Sequence, residues 1–126
     1  MIFAPYRLEK IEQWNYLSWY MTTQTDQRVT VLLRDETKVY AEGEQHSNNI
    51  APPLAQGAAS IAGNDLYLEV AINDNSELDA FINEYNITRP DGTIVGVGYD
   101  IMIEDHGPNG DYNDVAINLV AWKTKG

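Results

Sequence analysis

The 126-residue chain contains no cysteine, so disulfides and thiolate metal sites are excluded and the redox compartment is left open. Basic residues are scarce: 8 Lys and Arg stand against 19 Asp and Glu, a net charge of −11. A phosphate backbone or an anionic membrane surface repels such a chain, whereas cations are attracted to it. No apolar run approaches membrane-spanning length, so membrane insertion is not expected. Met1–Trp14 lacks the basic start and continuous apolar stretch of a signal peptide, and the expected location is cytoplasmic or outside the cell by a non-classical route. Internal repeats, low-complexity tracts and linkers are also missing. What remains is 44% apolar residues over a length that suits one domain, residues 1–126, with its own core.

The apolar residues alternate as in strands. Val29–Leu33 and Lys38–Ala41 flank Arg34-Asp-Glu-Thr37 and read as a hairpin. Leu66–Ile72, Thr93–Ile103 and Val115–Trp122 are further strands, and Tyr16–Met21 is another candidate. Pro90-Asp-Gly92 supplies a turn. Leu8–Trp14 is a candidate helical turn, and Ser47–Ala62, with Pro52 and Pro53, reads as an irregular crossing between sheets. The expected fold is all-β, an antiparallel β-sandwich of about nine short strands.

The segment most informative about chemistry is Glu104-Asp-His-Gly-Pro-Asn-Gly-Asp-Tyr-Asn-Asp114. It carries four carboxylates and two Asn amides with no Lys or Arg. Glycines 107 and 110 and Pro108 suit a tight, irregular backbone. Calcium takes roughly six to eight oxygen ligands, and Asn109-x-Asp111-x-Asn113-Asp114 offers oxygens at alternate positions of a curved loop. Carboxylates packed together without a cation repel one another. The competing reading of the residues alone is a solvated Asp/Asn/Gly turn. An EF-hand is excluded, because the Glu at the twelfth position is missing and strand-like sequence flanks the loop.

Asp111-Tyr-Asn-Asp114, followed by an apolar strand and Trp122 and ending on Gly126, resembles the calcium-dependent bacterial lectins of the Pseudomonas fucose-binding type, which have relatives in Burkholderia, Ralstonia and Chromobacterium. Val29–Leu33 with Asp35-Glu-Thr37 and Gly43, then Asn48-Asn49 and Gly63–Asn73, fall in similar order, so the resemblance runs from about Trp14 to the C-terminus. It implies a β-sandwich lectin in which a mannose-like or fucose-like monosaccharide ligates two adjacent calcium ions, or fewer, through neighbouring hydroxyls. The calcium ligands it implies are Glu104, Asp111, Asn113 and Asp114, with Asn109 where the family usually has aspartate, and the main-chain carbonyl of Thr22. Whether Glu104 or Asp105 takes the calcium role stays open. The resemblance implies sugar contacts from Asp105, Asp111, Asn113 and Asp114, and it places Thr23, Gln24 and Thr25 on the loop that tunes monosaccharide preference. Gly126 would lend its carboxylate to a partner subunit's site in a homodimer or homotetramer.

Other chemistry is weakly represented. Trp14, Trp19 and Trp122 could stack on a sugar, but aromatics on alternating strands are more often core or interface. His46 and His106 make a poor zinc set without cysteine. A Glu104/Asp111 acid–base pair for glycoside hydrolysis is formally possible, but carboxylates neutralised by calcium are poor proton-transfer groups. No Ser/His/Asp set or phosphate-cradling loop is visible. The expectation is a calcium-dependent lectin that is not an enzyme and binds no nucleic acid. The alternative is a degenerate lectin-like sandwich serving as a structural or protein-interaction module.

Overall fold

The computed structural model describes residues 1–105 and 110–126. Among them are nine strands and no helix: β1 (Tyr6–Arg7), β2 (Tyr16–Thr23), β3 (Thr25–Arg34), β4 (Val39–Ser47), β5 (Ala55–Ser60), β6 (Tyr67–Ile72), β7 (Asp79–Thr88), β8 (Ile94–Glu104) and β9 (Val115–Trp122). They form a four-stranded antiparallel sheet, β1-β6-β3-β4, and a five-stranded one, β5-β2-β9-β8-β7. This is the expected all-β sandwich.

The alternation that identified the strands also builds the core. Val29, Val31 and Leu33 of β3 and Leu68, Val70 and Ile72 of β6 face inward, opposite Leu17 and Met21 of β2, Ile101 and Ile103 of β8, and Ile117 and Leu119 of β9. Intervening residues face outward, as the period of two requires. Trp19 also turns inward, 7% exposed, and its ring lies over Gly57 of β5. The N-terminal segment closes one side, with Phe3 fully buried and hydrogen-bonded through its backbone to Ser76 and Val70.

Three expectations are corrected. Leu8–Trp14 contains no helical turn but two tight turns, closed by Ile11 N–H to Leu8 O and Asn15 N–H to Glu12 O. Leu8 and Ile11 are buried there, so packing rather than helical hydrogen bonding sets the conformation. Ser47–Ala62 is not wholly irregular, because Ala55–Ser60 forms edge strand β5 against β2. The expected strand list also omitted β7 and β1. Strand β7 is a ten-residue edge strand paired along its length with β8, and the turn over Pro90-Asp91-Gly92 joins the two, with Gly92 at φ +88°. Its Asn83, Glu84 and Asn86 dilute the apolar alternation that strand recognition relies on.

Strand direction gives the sandwich two distinct poles. The end of β2, the start of β3, the end of β8 and the start of β9 lie at one pole. The turn after β3, with Asp35, lies at the other.

Candidate functional site

Strands β8 and β9 pair as a hairpin from Ile103↔Val115 inward, so the acidic segment caps one pole. Glu104 ends β8 and Asp114 immediately precedes β9, and both are buried, at 4% and 9% exposure. Asp105 is half-buried between them. Each of the three offers a carboxylate oxygen, and these oxygens lie within 4.8 Å of one another. The backbone amide of Asp105 donates to Asp114 Oδ2 (3.0 Å), and that of Tyr112 donates to Glu104 Oε2 (2.9 Å). Tyr112 presents its amide there from a left-handed conformation, φ 54°, and Gly110 is also left-handed, φ 60°.

The electrostatics of this arrangement are unfavourable without a cation. Burial pushes the Asp114 carboxyl up to about 7, the neighbouring Asp105 and Glu104 carboxyls push the same way, and the Asp105 amide opposes them. Three carboxylate oxygens gathered at that distance are the donor chemistry of a hard-cation site. Asn113 adds an amide next to this group, within hydrogen-bond reach of both Asp111 carboxylate oxygens (2.8 and 3.1 Å) through its nitrogen. A turn of that amide presents its oxygen instead. Asp111 itself is exposed.

The β2–β3 connection is tied to the same pole. The Gln24 amide donates to the Asp114 carbonyl (3.1 Å), pinning Thr23–Thr25 beside the acidic segment. Thr22, buried at 4%, pairs with Ala116. Thr23 is fully buried, and its hydroxyl donates toward Gln45 Oε1 (2.9 Å) and Ser47 O (3.3 Å). Thr25 Oγ1 accepts from the Gln27 amide (3.1 Å). Gln24 is therefore the member of this trio whose side chain is neither buried nor already hydrogen-bonded among the described residues.

No family model and no curated protein matches the sequence. Solved structures do match. The high-affinity mannose-binding lectin of Ralstonia solanacearum superposes with a TM-score of 0.69 at 14% identity, covering 88% of this chain and 91% of that one. The C-terminal domain of a Burkholderia cenocepacia lectin gives 0.67 at 15%, covering 91% and 97%. A Chromobacterium violaceum lectin solved with alpha-methyl-fucoside gives 0.65 at 11%, covering 88% and 91%. The fold is that of these bacterial lectins.

Within this lectin fold, the expected site residues separate into three groups. Glu104, Asp105 and Asp114 converge; Asp111 and Asn113 pair with each other; and Thr22, Gln24 and Thr25 flank the pole. Both Glu104 and Asp105 belong to the carboxylate cluster, so neither excludes the other. Asn109 and His106 lie outside the described residues. Gly126 follows Trp122, at the far end of β9 from Asp114. Eight residues of strand separate them, roughly 24 Å. Sequence reasoning missed Gln27 and Asn75, which stand beside Asp105. Their only sequence signal is amide character in two separate turns, and nothing in the sequence relates those turns.

Proposed function

We propose that this protein is a lectin that binds a mannose-like or fucose-like monosaccharide through calcium. The observation carrying this reading is the carboxylate cluster of buried Glu104 and Asp114 and half-buried Asp105 at one pole of a sandwich that shares its fold with a mannose-binding lectin and with a lectin solved with a fucoside. Glu104, Asp111, Asn113 and Asp114 would hold the calcium, with Asp105 adjoining and Thr22 contributing from β2; Asn109 is a further expected ligand from the sequence. One ion or two adjacent ions fit a donor set of this size. When bound, calcium would neutralise these carboxylates and supply coordination positions for sugar hydroxyls. The chain's residues orient the sugar. Asp105, Asp111 and Asp114 accept hydroxyl hydrogens, and Gln24 supplies a side chain at the rim that discriminates between sugars, on a loop held rigid by buried Thr23 and by Thr25. No bond is broken in this scheme, and we read the protein as a binding protein and not an enzyme.

The reading also includes a partner subunit. The resemblance gives Gly126 a role in a second copy's site, and it follows the end of β9 far from Asp114. The outer face of the five-stranded sheet suits such a copy. Tyr20, Phe81 and Trp122 are 45%, 46% and 40% exposed there, Tyr85 lies across Gly98, and Trp122 leans over Gly96. Phe81 also packs on Tyr112 of the acidic segment, with ring centroids 5.4 Å apart, so this face runs into the candidate site. A protein-interaction module that binds no sugar is the second reading, favoured by the same exposed aromatics.

Calorimetric titration of methyl mannoside and methyl fucoside, with calcium and with chelator, tests the proposal. Binding is expected with calcium only, and Asp111→Ala is expected to abolish it while leaving a β-rich fold. Binding unaffected by chelator would refute the calcium site. Binding of neither sugar would favour the interaction module.

A further inference from the structure

Next to the acidic cluster, a cleft of about 290 Å³ opens between the start of β3 and the β6–β7 turn. Gln27, Ile72, Asn73, Asn75, Leu78 and Asp105 line it. This volume is near the lower end of small-molecule sites, about 300–1,000 Å³, and suits one sugar ring and not a longer chain. Ile72 and Leu78 are buried, at 4% and 1% exposure, and supply apolar walls. The amides of Gln27, Asn73 and Asn75 are exposed at its edge.

We propose that this cleft is a subsite for the second residue of a glycan whose terminal residue occupies the acidic cluster; the proposal rests on the lectin reading above. Asp105 belongs to both the cleft and the cluster, so the two compartments adjoin. Existing bonds fix the polar wall before any ligand arrives. Asn73 Oδ1 accepts from the Arg28 amide (3.2 Å), and Asn73 Nδ2 donates to Gln27 Oε1. Asn75 Oδ1 accepts from the Glu77 amide (3.1 Å). The turn is held by Asn73 and Asp74 in left-handed conformations, φ 50° and 66°, and by Arg28, which reaches both Asp74 and Glu44. These bonds consume the oxygens of Gln27 and Asn75. Their amide nitrogens, Nε2 and Nδ2, have no partner among the described residues. The cleft thus offers two prepositioned donors beside one carboxylate acceptor. Hydroxyls of a neutral hexose donate and accept, and match that set.

The same lining excludes other ligands. Among the described residues no basic side chain lines the cleft, and the nearby Arg28 is engaged by two carboxylates, so they offer a uronic or sialic acid no free cation. None of the described lining residues carries an aromatic ring, so they recognise hydroxyls and not a ring face.

The test compares methyl mannoside and methyl fucoside with neutral disaccharides that carry the same terminal sugar in different linkages, titrated by calorimetry in calcium. At least one linkage is expected to bind about two- to tenfold tighter than its monosaccharide, the gain of one hydrogen bond. Gln27→Glu with Asn75→Asp keeps both internal acceptors and removes both free donors. That double variant is expected to lose the disaccharide gain while monosaccharide affinity stays within about twofold, on the same hydrogen-bond scale. Gln27→Ala, which adds no charge, is expected to lose part of the gain. Equal affinity for monosaccharides and all disaccharides in the parent overturns the subsite and leaves the lectin reading standing. A gain that survives in both variants also overturns it. Failure of the parent to bind any monosaccharide overturns the lectin reading, and this proposal with it.

Discussion

Asp35 is fully buried, yet its carboxylate faces five donors: the amides of Thr37, Lys38 and Gly63 and the hydroxyls of Thr37 and Tyr40. Burial pushes its carboxyl up, but the hydrogen bonds from Thr37, Tyr40 and Lys38 outweigh burial and hold it well below the usual carboxylate range. Gly63 lacks a side chain because a Cβ there would come within 2.6 Å of the Asp35 carboxyl carbon. The sign of the pH effect follows from the depressed folded value. The stabilisation is complete above the unfolded carboxylate pKa, about 3.9, and is lost as pH falls below it. Asp35→Ala leaves several buried donors unsatisfied and is expected to cost about 3 kcal/mol. Urea unfolding at neutral pH and near pH 3 checks both points. The difference between parent and variant should shrink on acidification, and an equal difference at the two pH values would contradict the assignment. Because Asp35 sits at the opposite pole from Glu104, sugar binding by the folded variant should be unchanged.

At the scale of strands, close approach substitutes for propensity. Strand β5, Ala-Gln-Gly-Ala-Ala-Ser, has no β-branched or aromatic residue, and sequence pattern alone does not distinguish it from a loop. It forms because small residues let it lie against β2, where the Trp19 ring occupies the space above Gly57. A Cβ at Gly57 would sit 2.6 Å from Trp19 Cζ2 and 2.9 Å from Cε2. Trp19 is buried and cannot swing away freely, so Gly57→Ala is expected to destabilise by about 1–3 kcal/mol, the usual range for overpacking. Ala58→Val, at the adjacent exposed position, is expected to change stability by no more than about 0.5 kcal/mol. Denaturant midpoints of the two variants decide the matter. Strand β7 teaches the complementary lesson. Its polar residues hide it from periodicity, and it exists because β8 pairs with it over ten residues, with one register shift between Ile87 and Thr88.

For the whole molecule, charge and shape act together. Eleven net negative charges favour cations and disfavour anionic surfaces, and the acidic groups at the pole concentrate this tendency at one end. No helix among the described residues is long and apolar enough to cross a membrane. On the proposed reading, the exposed aromatics on the outer face of the five-stranded sheet are where a symmetric second copy would pack. Sedimentation is expected to show a mass above the 14.2 kDa of one chain, and Trp122→Asp is expected to return it to that value. A parent that sediments as a single chain would remove the partner from the proposal.

The sequence by itself determined the all-β class, the β3–β4 hairpin, the strands that became β8 and β9 and the acidic segment between them, because these depend on alternation and local turn chemistry. Their bounds agree closely: Val115–Trp122 was expected and is β9, and Thr93–Ile103 was expected where Ile94–Glu104 forms β8. Only the tertiary structure decided which carboxylates meet. Asp105 follows Glu104 in the chain, but Asp114 reaches them only because β8 and β9 pair in register at Ile103↔Val115. It also decided that Thr23 faces Gln45 from a buried position, leaving Gln24 at the rim, and that Gln27 and Asn75, 48 residues apart, share one cleft beside Asp105. Such juxtapositions depend on strand order and register, which are set by packing between segments distant in sequence, and no local pattern records them.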